Sequence, residues 1–176
     1  MSKRILCSGG CGFIGSNLVR ELLQHPDDYE VTVVDNLSSG HLELLGIAGT
    51  ASDEFSPGIV RQFPGPGSTG QFTLYLCSFD DYRVLTRVAS GDFDVVFHLA
   101  ATPRVSYSVE HPADTHRNNV QRTVELLEAC KQSIHQPVVV FSSSSSVYGG
   151  ASILPTPETY PTDPRSPYAL QKRAVE

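Results

Sequence analysis

The chain has 176 residues and a mass of 19.1 kDa, a length that favours a single domain covering residues 1–176. With 13 Lys and Arg residues against 19 Asp and Glu residues, its net charge is −6 and it has no basic cluster, which excludes nucleic-acid backbone binding as its main role. Hydrophobic residues make up 40% of the sequence, enough for a core, and no apolar stretch approaches the roughly 20 residues that span a membrane.

Short apolar runs alternate with segments in which apolar residues recur at helical spacing. Such spacing follows the first run, returns around Tyr82, Leu85 and Val88, and extends over residues 114–132. Near-continuous apolar strands separated by helices are typical of a parallel sheet that is covered on both faces. We therefore predict an α/β fold with a doubly wound, five-stranded parallel sheet. The predicted strands are 5–7, 31–34, 72–77, 95–98 and 138–141. The apolar side of the long helix is predicted to carry Val120, Val124, Leu127 and Cys130.

Two stretches depart from this alternation. Residues 46–71 are dense in Gly, Pro, Ser and Thr, and Pro57, Pro64 and Pro66 are expected to block regular structure there. We predict a flexible surface insertion, with a functional lid as the alternative. Residues 168–176 have the pattern of a helix in which the chain stops, and a parallel sheet left at five strands has an unprotected edge. We therefore expect the chain to be truncated at its C-terminus.

A glycine turn joins the first predicted strand to the first helix. Gly9, Gly12 and Gly15 let the backbone approach a pyrophosphate, whose charge then lies at the helix N-terminus. Asp35 ends the second strand about 20 residues later, where its carboxylate can accept hydrogen bonds from the ribose hydroxyls and repel a 2′-phosphate. This pattern predicts a dinucleotide site that favours NAD over NADP. The alternative is a purely structural turn with Asp35 as a loop cap.

Tyr168 and Lys172 stand four residues apart, on one face of the predicted C-terminal helix. A neighbouring ammonium stabilises a phenolate, so the pair is suited to proton transfer. Ser144 follows the fifth predicted strand, at the edge where such folds bind ligands, and its hydroxyl can hydrogen-bond a substrate oxygen. These three residues are the candidate catalytic set.

The combined motifs resemble the extended short-chain dehydrogenases/reductases, specifically the NAD-dependent epimerase/dehydratase family. Within it, the chain is most similar to nucleotide-sugar 4-epimerases of the UDP-glucose (UDP-galactose) type. The resemblance covers nearly the whole chain, in order and near the family's spacing. The matching blocks are the glycine turn, 35–40, 98–101, 118–120, 142–149 and the Tyr168–Lys172 pair.

The resemblance implies an enzyme that oxidises C4 of a UDP-hexose with a tightly held NAD, passes through a 4-keto sugar and reduces it from the other face. Tyr168 would be the acid/base, Lys172 would stabilise its phenolate, and Ser144 would bind the C4 oxygen. No metal is implied. The positions that match cofactor contacts are Gly9, Gly12, Phe13, Ile14, Gly15, Asp35, Asn36, Ser78, Phe79, Leu99, Ala100, Ala101, Asn119, Ser142, Tyr168 and Lys172.

The residues after Ser144 favour epimerisation over related reactions. Dehydratases of this family carry Asp-Glu there and decarboxylases usually keep a Glu, whereas this chain has Ser145 and Ser146. Another nucleotide-sugar-modifying relative and a non-catalytic NAD-binding module remain the alternatives. Two residues depart from the family pattern: Ser78 stands where an Asp usually binds the adenine amino group, and Arg122 replaces a usual glycine.

The resemblance also implies a C-terminal sugar-nucleotide lobe that this sequence lacks, so we expect the isolated chain to lack epimerase turnover and not to be fully active. A homodimer formed partly by the 114–132 helix is a further expectation. Cys7, Cys11, Cys77 and Cys130 form no CxxC pair, so we expect reduced thiols and a cytoplasmic location. No membrane partner is expected.

Overall fold

The structure is a computed structural model that describes residues 2–47, 58, 60–65, 67 and 70–176. It divides into two compact units. The first comprises Met1–Ala100 and Leu126–Phe141, and the second comprises Ala101–Glu125 and Ser142–Glu176.

The first unit is built on a six-stranded sheet with the strand order β3-β4-β2-β1-β5-β6. All neighbouring strands are parallel except β3, which is antiparallel to β4. Each predicted strand is present, within two residues of the expected bounds at either end. The strands are β1 (Lys3–Ser8), β2 (Tyr29–Asp35), β3 (Val60–Pro64), β4 (Gln71–Leu76), β5 (Val95–His98) and β6 (Val138–Phe141).

Strand β3 corrects the prediction that residues 46–71 lack regular structure. Val60 pairs with Tyr75 and Pro64 pairs with Gln71 at the outer edge of the sheet. An edge strand tolerates proline, because the missing N–H costs no hydrogen bond on the side that faces away from the sheet. The prediction of a flexible insertion or lid otherwise falls largely outside the described residues.

Apolar residues on alternate positions of the strands form two cores, one on each face of the sheet. Ile5, Cys7 and Val33 pack with helix α1 (Phe13–Leu22) on one face. Leu6 and Val34 pack on the other face with helix α2 (Tyr82–Ala89) and the C-terminal part of helix α5 (Arg122–Gln132). Helices therefore cover both faces, which confirms the doubly wound α/β fold.

The second unit is helical and centres on helix α6 (Pro167–Val175). This helix packs against α3 (Val105–Glu110), α4 (Pro112–His116), a π-helical turn (Arg117–Gln121) and a 3₁₀ turn (Ser145–Tyr148). Ser166 caps α6 by accepting a hydrogen bond from the Ala169 N–H at 3.1 Å, and Pro167 occupies the first helical position. The predicted C-terminal helix is confirmed.

The long helix predicted over 114–132 is interrupted by the π-helical turn, which changes its buried side. A π turn holds one more residue than an α turn, so the side chains after it are rotated about 100° from the expected face. Val124, predicted on the apolar side, is 54% exposed, whereas Thr123 and Leu126 are buried. After the π turn, the predicted face was therefore wrong at Val124, whereas Leu127 is half-buried and Cys130 is buried.

The described part of the chain contains no helix with the length and apolar character needed to cross a membrane. All four cysteines are free thiols, and three of them are buried.

Candidate active site

The glycine turn between β1 and α1 is so tight that side chains cannot be added at two of its positions. Gly9 has a φ of 75°, and a Cβ atom on it would lie 2.7 Å from the Ala100 backbone nitrogen. A Cβ atom on Gly15 would lie 2.2 Å from the Gly9 carbonyl oxygen. The predicted residues Gly9, Gly15 and Ala100 are therefore in direct contact, and the turn requires glycine.

Helix α1 begins at this turn with its first N–H groups uncapped by any side chain. Gly12 is the N-cap residue and no acidic residue occupies the first turn. The first N–H groups of a helix lack intrahelical partners and carry the positive end of the dipole, so this end attracts an anion. Phe13 is 81% and Ile14 62% exposed, so their side chains do not pack in the core.

Asp35 is buried at the end of β2, beside the glycine turn. One carboxylate oxygen accepts the Cys11 N–H at 2.9 Å and the other accepts the Leu37 N–H at 2.8 Å. Burial raises the pKa of this carboxyl, while the two backbone hydrogen bonds lower it. Each oxygen has a further lone pair, so Asp35 can also accept hydrogen bonds from a ligand.

An open cavity of about 500 Å³ begins next to Asp35. Asn36 and Ser78, both predicted to contact the cofactor, line it together with Asp81 and Arg83. The Ser78 hydroxyl oxygen is buried and has no hydrogen-bond partner among the described residues. Ser78 therefore lines this cavity at the position where the family pattern has an aspartate, with its hydroxyl oxygen buried.

The other predicted cofactor residues of the first unit have less direct roles. The Phe79 side chain is buried in the core and packs edge-on against His98, with ring centroids 4.7 Å apart. Leu99 continues the pairing of β5 with β1, since its N–H donates to the Ser8 carbonyl at 3.0 Å. Only the backbone of these residues is suited to meet a ligand.

Tyr168 and Lys172 are both buried, one turn apart on α6. The Lys172 Nζ donates to the Ser142 carbonyl oxygen at 2.8 Å. Burial lowers the pKa of Lys172 to about 8, so its amine is still mainly protonated at neutral pH. The structure thus brings a buried cation to the helix that carries the candidate acid/base.

Ser144 lies at the N-cap of the 3₁₀ turn, which packs against α6. Its Oγ accepts hydrogen bonds from the Ser146 N–H at 3.2 Å and from the Ser146 hydroxyl at 2.9 Å. The second unit therefore brings Ser142, Ser144, Tyr168 and Lys172 together on packed elements.

Asn119 lies in the π-helical turn and is buried, but its side chain is occupied within the second unit. Its Oδ1 accepts the Thr102 N–H at 2.7 Å. Its Nδ2 donates to the Thr102 carbonyl at 3.2 Å and to Gln171 Oε1 at 2.9 Å. Both amide hydrogens are used, so a side-chain contact to a cofactor requires one of these bonds to break.

Gln171 and Ser108 were missed by the sequence analysis. Gln171 also donates to the Thr115 hydroxyl at 3.0 Å, and the Ser108 hydroxyl accepts the Tyr168 N–H at 3.1 Å. Helical spacing could have indicated Gln171, because positions 168, 171 and 172 share one face of a helix. Nothing in the sequence pattern indicated Ser108. Among the described residues, no cluster of three metal-ligand side chains occurs.

The chain is also similar in sequence, over nearly its whole length, to known proteins. The model of the NAD dependent epimerase/dehydratase family matches residues 5–176. The chain is 36% identical over 173 residues to the UDP-glucose 4-epimerase of Mycolicibacterium smegmatis, covering 98% of this chain and 49% of that protein.

Solved structures with the same fold include two UDP-glucose 4-epimerases. That of Thermotoga maritima, solved with UDP-glucose, has a TM-score of 0.73 and 34% identity over 98% of this chain and 48% of its own. That of Brucella ovis, solved in complex with NAD, has a TM-score of 0.75 and 32% identity over 99% of this chain and 46% of its own. The chain thus spans about half the length of each of these three relatives.

Proposed function

Because the chain belongs to the NAD dependent epimerase/dehydratase family, we propose that it is the cofactor-binding half of a UDP-hexose 4-epimerase. Its residues would bind NAD and carry out the proton transfers of sugar epimerisation. Relatives named as UDP-glucose 4-epimerases, one of them solved with UDP-glucose and one with NAD, support this substrate and this cofactor.

The first unit has the features that fit NAD. The glycine turn is packed so closely that no Cβ atom fits at Gly9 or Gly15, and the uncapped start of α1 suits a pyrophosphate. The buried Asp35 carboxylate would accept hydrogen bonds from the adenosine ribose, and Ser78 would meet the adenine. The charge of Asp35 also favours NAD over its 2′-phosphorylated form.

When bound, NAD supplies reversible oxidation at C4 of the sugar, which gives a 4-keto sugar. Tyr168 would accept the proton of the C4 hydroxyl and return it after the sugar has presented its other face. Lys172 would stabilise the Tyr168 phenolate and hold the nicotinamide ribose. Ser144 would donate a hydrogen bond to the C4 oxygen throughout. In this scheme the protein binds and orients the cofactor and the sugar, and it moves the proton of the C4 hydroxyl.

The single observation that carries the proposal is that Tyr168 and Lys172 are both buried, one turn apart, on a helix that packs against the Ser144 turn. A domain that only binds NAD has no need for a lysine buried one turn from Tyr168, since lysine side chains are mostly exposed in folded proteins. Epimerisation is favoured over dehydration or decarboxylation because Ser145 and Ser146 supply no additional carboxylate for proton transfer.

The cofactor part is tested by calorimetric titration of NAD into the 176-residue chain. We expect saturable one-to-one binding. Absence of binding by a folded chain would overturn the proposal at its first step.

A homodimer and a cytoplasmic location stay predictions from the resemblance and from the free thiols.

The acid/base part is tested by the ultraviolet absorbance of tyrosinate in the NAD-saturated chain near neutral pH. We expect NAD to increase this absorbance in the wild type and in the matched control Tyr82→Phe, whose ring is 76% exposed, but not in Tyr168→Phe. An NAD-induced increase of the same size in Tyr168→Phe, or no increase in the wild type, would instead favour a non-catalytic NAD-binding module.

The substrate part is tested by incubating UDP-galactose with a stoichiometric amount of the NAD-loaded chain and analysing the products. Formation of UDP-glucose, an isomer of equal mass, is expected for an epimerase. A product that has lost water would indicate a dehydratase. In a parallel incubation with UDP-glucuronate, a product that has lost carbon dioxide would indicate a decarboxylase.

A further inference from the structure

The hydroxyl of Ser146 contacts the candidate substrate-binding hydroxyl of Ser144. Ser144 has an extended backbone, with φ −154° and ψ 141°, and its side chain turns back over the 3₁₀ turn. There its Oγ accepts two hydrogen bonds, from the Ser146 backbone N–H at 3.2 Å and from the Ser146 Oγ at 2.9 Å. Ser146 thus provides both donors.

A serine hydroxyl has two lone pairs and one hydrogen. Both lone pairs of Ser144 are engaged by Ser146, and its own hydrogen has no acceptor among the residues that the structure describes. Ser144 can therefore act toward a ligand only as a hydrogen-bond donor. Without the Ser146 hydroxyl, one lone pair becomes available, and Ser144 can also accept a hydrogen bond.

We propose that Ser146 is a positioning residue that fixes Ser144 as a hydrogen-bond donor to the C4 oxygen of the sugar. This inference rests on the proposed function. A donor is required at that oxygen both when it is a hydroxyl that loses its proton to Tyr168 and when it is the carbonyl of the 4-keto sugar. If the Ser144 oxygen instead accepted a hydrogen bond from the sugar, the C4 oxygen would lose the hydrogen bond that Ser144 donates.

The fold of the turn does not depend on the Ser146 hydroxyl. Backbone bonds close it, from the Val147 N–H to the Ser144 carbonyl and from the Gly149 N–H to the Ser146 carbonyl, each 3.1 Å long. The Asp163 N–H holds the turn from outside by donating to the Val147 carbonyl at 2.9 Å. Ser146→Ala retains all three bonds, so the variant is expected to fold.

Three variants test the proposal by the rate of a single conversion of UDP-galactose by a stoichiometric amount of the NAD-loaded chain. Ser146→Ala is expected to lower this rate about three- to tenfold, the effect of one lost hydrogen bond, with the NAD dissociation constant unchanged. Ser146→Thr keeps a hydroxyl and should hold the rate within about twofold of the wild type. Ser145→Ala removes an exposed neighbouring hydroxyl and should match the wild type. An unchanged rate in Ser146→Ala would overturn the proposal.

A second measurement separates this inference from the proposed function. NMR coupling constants report the χ1 rotamer of Ser144 whether or not the sugar reacts. We expect one rotamer in the wild type, Ser145→Ala and Ser146→Thr, and averaging in Ser146→Ala. If neither the wild type nor any variant converts UDP-galactose, the rotamer alone decides the role of Ser146, and NAD binding with the Tyr168 absorbance still tests the proposed function. A single unchanged rotamer in Ser146→Ala would then overturn it.

Discussion

Gln171 and Asn119 are joined by a buried hydrogen bond of 2.9 Å that links helix α6 to the π-helical turn. Gln171 stands directly before Lys172 in the chain and three residues after Tyr168, so this bond holds the helix segment that carries both. Asn119 continues the connection by bonding both the N–H and the carbonyl of Thr102. The orientation of the candidate catalytic helix therefore depends on an amide pair.

Replacing Gln171 by Ala is expected to lower the free energy of unfolding by about 1–3 kcal/mol. The substitution leaves an Asn119 amide hydrogen without its buried acceptor and the Thr115 hydroxyl without its donor. Urea unfolding measures the loss. Gln132→Ala is the matched control, because Gln132 is an exposed glutamine on α5 and should lose no more than about 0.5 kcal/mol. Equal losses of unfolding free energy in the two variants would contradict a stabilising role of the Asn119–Gln171 hydrogen bond.

Replacing Gly15 by Ala is expected to prevent NAD binding, because the new Cβ atom would meet the Gly9 carbonyl oxygen at 2.2 Å. The backbone must shift to relieve this contact, which costs about 1–3 kcal/mol and displaces the turn at the uncapped start of α1. Calorimetry with NAD and urea unfolding measure the two effects. At the control position, Gly150, the nearest atom to an added Cβ belongs to the flexible Arg165 side chain, 3.3 Å away. Gly150→Ala should therefore bind NAD like the wild type.

The sequence predicted those features whose cause is local. Alternating apolar runs located the parallel strands, and the glycine spacing located a turn in which side chains do not fit. The spacing of Tyr168 and Lys172 predicted that one helix face carries both. Each of these depends on the period of one element or on the steric demands of one turn.

Features that depend on partners distant in sequence were not predicted. Strand β3 is an edge strand whose prolines suggested a loop, and only its pairing with β4 makes it regular. One additional residue in the π-helical turn moved Val124 from the expected core to the surface. Asn119 matched a cofactor contact, yet its amide hydrogens are used by Thr102 and Gln171, 17 and 52 residues away.

The chain is expected to bind NAD more tightly than NADP. The Asp35→Asn substitution is expected to reduce the ratio of the two dissociation constants at least about tenfold, which corresponds to 1.4 kcal/mol. The negative charge of Asp35 opposes a 2′-phosphate, and the substitution removes it. Because burial raises the pKa of Asp35, the preference should also weaken as pH falls and the carboxyl is protonated. Calorimetric titrations of both dinucleotides measure it, with the exposed Asp28→Asn as the control. Equal or tighter binding of NADP by the wild type would refute the prediction.

Lys172 is expected to make the chain more stable as pH rises above about 8. Burial lowers its pKa in the folded chain to about 8, whereas the ordinary value of 10.5 applies when the chain is unfolded. Between these pH values the unfolded chain binds more protons than the folded one, so the free energy of unfolding increases with pH. The full difference corresponds to about 3 kcal/mol.

Urea unfolding across this pH range, without cofactor, measures the effect as the difference between the wild type and Lys172→Met. Subtracting the variant removes the contribution of the cysteines, which has the opposite sign: burial raises the pKa of Cys7 to about 12, so deprotonation above about pH 9 favours the unfolded chain. Lys131→Met, at a lysine that is 76% exposed, should follow the wild type in parallel. If Lys172→Met also runs parallel to the wild type, Lys172 does not titrate in this range. Other groups, in addition to the Ser142 carbonyl oxygen, would then stabilise its ammonium in the folded chain.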